Sequence, residues 1–133
     1  MSLRVLVVED EPLNRDFVAG LVEGTPGFSL LAACADLDGA RRALNRRPDV
    51  VLLDVQLGRG TGLDLLDDPA FAALDPPPAV VFVTAYDGYA VAAFERHAAD
   101  YVRKPSGQKR LGAALERARR RLEGERARDD LRA

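Results

Sequence analysis

Residues 50–62 read VVLLDVQLGRGTG, and the fold turns on them. Val50–Leu53 is a continuous apolar run of valine and leucine, without the polar alternation of a half-exposed strand. Such a run is expected where a strand is covered on both faces, as in a parallel sheet. It ends on a single carboxylate, Asp54, after which Gly58, Gly60 and Gly62 interrupt the chain. In open α/β sheets the working groups gather at the carboxyl ends of strands, so Asp54 stands where chemistry is expected.

Outward from this stretch the same pattern recurs. Leu3–Val8, Phe28–Ala33, Ala79–Val83 and Ala99–Val102 are short apolar runs, and amphipathic segments lie between them. Leu13, Phe17 and Leu21 repeat at four-residue steps, and Leu37, Ala40 and Leu44 at three and four. Leu63 with Leu66 and Ala90 with Phe94 mark shorter helices, while Leu111, Leu115, Ala118 and Leu122 form the longest stripe. Gly24–Gly27, Pro48, Gly58–Gly62, Pro76–Pro78 and Pro105 punctuate the series. The alternation predicts an α/β domain, (βα)5, with a doubly wound five-stranded parallel sheet and right-handed crossovers. It occupies residues 1–122; residues 123–133 lose the stripe and read as a charged helix end or the start of a linker.

The length of 133 residues, 47% hydrophobic and 30% charged, suits one core. Apolar runs of four to six residues fall far short of the ~20 that span a bilayer. The opening MSLRVLVVEDEP turns acidic where a secretory leader needs a longer apolar core, so a cytoplasmic protein without membrane contact is expected. A single cysteine, Cys34, excludes an internal disulfide framework, and a single histidine, His97, excludes a Cys/His zinc site. Cys34 reads as a small core residue and His97 as structural; Arg59 and Arg103 read as exposed charges. Residues 103–128 hold ten Lys/Arg against three Glu, leaving nine basic and eighteen acidic residues elsewhere. That basic end can face nucleic acid, the acidic body of its own chain, or a second copy, and the lack of interleaved aromatics argues against nucleic acid.

Four strand ends carry polar groups to one rim: Glu9, Asp10 and Glu11, then Asp54, Thr84, and Lys104 with Pro105. Singly each has a plainer reading, Asp10 or Asp54 as a helix cap, Thr84 as a turn residue, Lys104 as a solvated charge. Together they make a site. Carboxylates from Glu9, Asp10 and Asp54 repel unless a cation intervenes. Oxygen ligands alone favour a hard divalent ion, Mg2+ or Mn2+. With Lys104 and the Thr84 hydroxyl opposite, the rim is a receptacle for a phosphoryl group on Asp54, whose carboxylate is the nucleophile.

These residues lie within motifs that resemble the receiver domain of two-component response regulators: VVEDEP (7–12), VVLLDVQLGRGTG (50–62), VFVTAYDGYA (81–90) and ADYVRKP (99–105). The run 84–105 resembles more narrowly the receivers attached to LytTR-type DNA-binding domains. The resemblance implies the flavodoxin-like strand order 2-1-3-4-5. It also implies Asp54 as phosphoacceptor, Asp10 and Asp54 as direct metal ligands, the main-chain carbonyl of Gln56 as a further ligand, and Glu9 acting through water. Thr84 and Lys104 are then the phosphoryl-binding pair, Thr84 and Tyr101 the switch, and Lys104–Pro105 a candidate cis peptide. Gln56 and Tyr86 flank the acceptor and are candidates for tuning phosphate lifetime. The implied partners are a sensor histidine kinase or a small phosphodonor, and a second copy through the fourth helix, fifth strand and fifth helix, where Asp87, Glu95 and Asp100 could meet the basic helix. DNA would be reached only through an output domain, which the chain as read ends too early to include. Three departures stand out: Gly58 where proline is common, expected to loosen its loop; Glu9 in place of aspartate; and Ser106 after Lys-Pro, a candidate cap for the last helix.

Rival functions fit less well. A haloacid dehalogenase-type phosphohydrolase needs a second aspartate two positions after the nucleophile, where this chain has Gln56. A flavin carrier on the same topology wants an uncharged phosphate loop after strand 1, where Glu9-Asp10-Glu11 would repel the phosphate. A receiver-like module that binds partners without phosphorylation would not need the intact acidic set. The chain is expected to act as a signalling domain with only its own phosphorylation and dephosphorylation chemistry, not as an enzyme.

Overall fold

The computed structural model describes residues 2–132. In chain order the elements are β1 (Leu3–Val8), α1 (Pro12–Glu23), β2 (Phe28–Cys34), α2 (Leu37–Leu44), β3 (Val50–Leu53), β4 (Gln56–Leu57), β5 (Gly60–Thr61), α3 (Gly62–Leu66), α4 (Pro69–Ala72), β6 (Ala79–Thr84), α5 (Ala90–Glu95), β7 (Asp100–Arg103) and α6 (Gln108–Arg132). Five strands form one parallel sheet in the order β2-β1-β3-β6-β7, which is the expected 2-1-3-4-5 order of the main strands. Strand alternation explains the unbroken apolar runs. Val5, Val7, Val50, Leu52, Val81 and Val83 face a core closed by Val18 and Val22 of α1 and by Leu111, Leu115, Ala118 and Leu122 of α6. Leu6, Val8, Val51, Leu53, Val80 and Phe82 face a second core closed by α2, α3 and α5. Each central strand therefore has no solvent face.

The expected apolar stripe of α1 is corrected. Leu13 is 77% and Phe17 54% exposed, whereas Val18 and Val22 are buried. A four-residue step overshoots one helical turn by about 40°, so Leu13, Phe17 and Leu21 drift around the helix and only Leu21 packs against the core. In α5 the buried residue is Ala93, and Phe94 turns outward. His97, exposed and at φ 64, takes the left-handed position just past the end of α5.

The glycine-rich stretch is also more ordered than a breaker. β4 and β5 pair antiparallel with Gln56 opposite Thr61 and Leu57 opposite Gly60, leaving the two-residue loop Gly58–Arg59. Gly58 has φ 67, a conformation open to glycine and closed to proline. It closes a tight hairpin rather than loosening a loop. Ser106 does not cap the last helix; α6 begins at Gln108, and the Leu111 N–H donates to the Gly107 carbonyl. The helix continues without a break past Leu122 to Arg132. No helix among the described residues is long and apolar enough to cross a membrane.

Candidate functional site

The sheet register assembles the rim. Val8 pairs with Leu53, so the next residues, Glu9 and Asp54, leave adjacent strands side by side, with the Asp54 N–H donating to the Val8 carbonyl at 3.0 Å. β6 runs past β3 to Thr84, which pairs with Arg103 and accepts at its carbonyl the Lys104 N–H at 2.8 Å. Lys104 and Pro105 are joined by a cis peptide, as are Asp75 and Pro76. The cap readings of Asp10 and Asp54 do not hold. Glu11 caps α1 by accepting from the Leu13 and Asn14 N–H groups, and the helix after Asp54, α3, has Thr61 as its N-cap.

Carboxylate oxygens of Glu9, Asp10 and Asp54 lie within 4.8 Å of one another. Glu9 and Asp54 are buried and Asp10 is exposed. The Lys104 ammonium donates to Asp54 Oδ2 at 2.9 Å and to Glu9 Oε1, and the Gln56 N–H donates to Asp54 Oδ1 at 3.1 Å. Burial pushes the Glu9 carboxyl up to about 7, Lys104 pulls the other way, and the Asp54 charge adds to the rise. Burial alone would lower Lys104, but its bonds to Glu9 and Asp54 outweigh this and hold it above its ordinary value. Glu9 Oε2 is buried without a hydrogen-bond partner. One ammonium thus serves two buried carboxylates and leaves an orphan oxygen beside a third. An all-oxygen donor set with surplus negative charge fits a hard divalent cation.

Thr84 is fully buried, and its hydroxyl accepts the Tyr86 N–H at 3.4 Å. Tyr101 lies half-buried on β7, its ring tilted against Phe82 at 6.1 Å and its hydroxyl donating to the Tyr86 carbonyl. Burial raises the Tyr101 phenol above its ordinary value. The loop after Thr84 is therefore held at Tyr86 from both expected switch residues. The Tyr86 ring itself is 48% exposed. Arg59 is exposed at the hairpin tip, Arg103 pairs with Asp87 at 3.1 Å, and Cys34 packs at the edge of the second core. Sequence reasoning missed Arg15, whose Nη1 donates to the main-chain carbonyls of Glu9 at 3.0 Å and Asp10 at 3.4 Å. Its position one helical turn after the acidic loop was the available signal, because helical side chains lean toward the N-terminus.

A five-stranded doubly wound sheet with this acidic rim, a lysine after the last strand and a coupled hydroxyl and tyrosine defines a phosphoacceptor signalling module. The chain belongs to the response regulator receiver domain family, whose model matches residues 5–116. It is 42% identical over 120 residues to the transcriptional regulatory protein BtsR of Salmonella typhi, covering 88% of this chain and 48% of that protein. It is 39% identical over 117 residues to the sensory transduction protein LytT of Bacillus cereus, covering 86% of this chain and 46% of that protein. The chain thus spans about half the length of the curated relatives it matches. The response regulatory domain of mrkE from Klebsiella pneumoniae superposes with a TM-score of 0.81 at 26% identity, over 92% of this chain and 99% of that one. NtrX from Brucella abortus, crystallised with ATP, superposes with a TM-score of 0.85 at 36% identity, over 98% of this chain and 30% of that one. Receivers of this family take a phosphoryl group on an aspartate in two-component signalling.

Proposed function

We propose that Asp54 is the phosphoacceptor and that its phosphorylation sets the signalling state of the surface formed by α5, β7 and α6. The convergence of Glu9, Asp10 and Asp54 around a single lysine carries this reading. The donor is the phosphohistidine of a cytoplasmic sensor histidine kinase, or a small acyl phosphate. An Asp54 carboxylate oxygen attacks phosphorus, the bond to the donor nitrogen or oxygen breaks, and its electron pair leaves with the donor. Asp10, Asp54 and the Gln56 carbonyl would hold Mg2+ or Mn2+ directly, with Glu9 acting through water; the ion supplies charge neutralisation for the three phosphoryl oxygens. Lys104 transfers its donation from the carboxylates to the new phosphoryl oxygens. The Thr84 hydroxyl leaves the Tyr86 N–H for the same group and draws the loop inward, which releases Tyr101 to repack.

Beside Lys104 a groove of about 460 Å³ opens between α1 and α6, walled by Phe17, Leu21, Pro105 and Leu111. With exposed Leu13 it gives the kinase an apolar landing surface next to the acceptor. Exposed Val91 and Phe94 on α5 supply the matching apolar patch for a second copy of the phosphorylated chain. Of the three acids offered to that copy, Asp87 and Asp100 are already engaged by Arg103 and Arg110 within the chain. The output is transcription, through a domain that the longer relatives leave room for. The chain itself turns over no external substrate.

Incubation with acetyl phosphate and Mg2+, followed by mass mapping, tests the assignment. Asp54→Asn and chelation should each abolish labelling. Label elsewhere than residue 54, or labelling that survives chelation, would overturn the site or its ion. Substitution of Gln56 or Tyr86 should change the decay of the label and not its formation.

A further inference from the structure

Arg15 reaches back from the first turns of α1, and its Nη1 donates to the carbonyls of both Glu9 and Asp10. On the other side of the same loop the Glu9 N–H donates to the Cys34 carbonyl at 2.9 Å. Glu11, the next residue, is committed to capping α1. The two residues whose carboxylates meet Asp54 therefore hang from a main chain held between β2 and one guanidinium. Among the described residues no hydrogen bond or ion pair engages the Asp10 carboxylate, so its reach to the site depends on where the backbone places its Cβ.

We infer that Arg15 is a positioning residue for divalent-ion capture. It fixes the Glu9–Asp10 main chain so that both carboxylates lie beside Asp54 before the ion arrives. The inference rests on the ion site proposed above. Two effects of Arg15 oppose each other. Its positive charge disfavours a cation nearby, so removing it would tighten binding; its hydrogen bonds pre-orient ligands, so removing them would loosen binding. Loss of a group that orients metal ligands typically costs about 10–100-fold in affinity. Arg15 is half-exposed, and solvent weakens its repulsion of the ion to less than the orienting effect. Positioning wins.

Calorimetric titration of the 133-residue chain with Mg2+ at fixed ionic strength tests this, with Arg15→Ala, Arg15→Lys and Asp10→Asn beside the wild type. Arg15→Ala should raise the Mg2+ dissociation constant about 10-fold, and Arg15→Lys, whose ammonium can still donate to one of the two carbonyls, should recover part of the loss. In acetyl phosphate labelling, the half-saturating Mg2+ concentration should rise by the same factor while the rate at saturating Mg2+ stays at the wild-type value. Unchanged or tighter Mg2+ binding in Arg15→Ala, or a saturated rate that falls with unchanged half-saturation, overturns the proposal. Should Arg15→Ala not fold, the intermediate affinity expected of Arg15→Lys decides the matter, and wild-type affinity in that variant counts against it. If Asp10→Asn binds Mg2+ as well as the wild type, the ion site itself fails, and that outcome is separate from a failure of Arg15 alone.

Discussion

At Gly62 a methyl group has nowhere to go. A Cβ there would sit 2.3 Å from the Asp54 carbonyl oxygen and 2.8 Å from Leu53 Cγ, while the Gly62 N–H donates to the Val55 carbonyl at 2.8 Å. The chain leaving the hairpin is pressed onto the backbone of Asp54. Gly62→Ala should cost about 1–3 kcal/mol of stability by overpacking and slow labelling of Asp54 by displacing it. Urea unfolding measures the first, and an unchanged midpoint would contradict the contact. Gly60 is different, because its Cβ would meet the flexible end of Leu37 at 2.6 Å. Gly58 differs again, needing its positive φ. In the sequence the three glycines look alike as breakers, and only their surroundings separate a steric requirement from a torsional one.

Among the elements, α6 shows how the basic end resolves. Asp100 at the start of β7 is buried and accepts from Arg110 at 2.8 and 3.1 Å, with Arg117 at 3.6 Å. Arg119 pairs with Glu116 and Glu123, and Arg126 approaches Asp49 at 3.6 Å. Part of the positive charge of the helix therefore faces acids elsewhere in the chain, Asp100 and Asp49. Burial would raise the Asp100 carboxyl, but Arg110, the Tyr101 N–H and Arg117 outweigh it and hold it below its ordinary value. A depressed carboxyl stabilises the fold fully above about pH 4, the unfolded value, and that stabilisation is lost as pH falls through the lower folded value. Asp100→Asn should be about 1–3 kcal/mol less stable at neutral pH and should converge with the wild type on acidification. Chemical denaturation at both pH values checks this; a pH-independent difference would mean the carboxylate charge is not what binds β7 to α6.

For the whole molecule, the question is how a change at Asp54 reaches a surface. The path is short: Lys104 follows β7, Thr84 ends β6, and Tyr101 and Thr84 both hold the loop at Tyr86 that leads to α5. Two arrangements of this loop need differ by only a few kcal/mol for one phosphoryl group to shift the population. The dimer face proposed around Val91 and Phe94 would follow from that shift. Sedimentation with a beryllofluoride phosphate mimic and Mg2+ should show a dimer that survives high salt, since its centre is apolar and two of its acids are already paired within the chain. A chain that stays monomeric with the mimic would rule this face out.

Local pattern was enough for much of the protein. Unbroken valine and leucine runs between amphipathic segments specify a two-sided parallel sheet, because only strands covered on both faces tolerate them. Acidic, hydroxyl and lysine side chains at successive strand ends specify a shared rim, because parallel strands place all their carboxyl ends on one edge. Long-range packing decided the rest. Which of Leu13, Phe17, Val18 and Val22 go inside depends on how α1 is rotated against the sheet, and that rotation is set by a core shared with β3, β6 and α6, far away in the chain. Whether Arg110 and Arg117 meet solvent, a partner or Asp100, and whether Arg15 reaches the acidic loop, depends on distances that only the folded backbone defines. Periodicity and residue type are written along the chain. Partner choice is written in three dimensions.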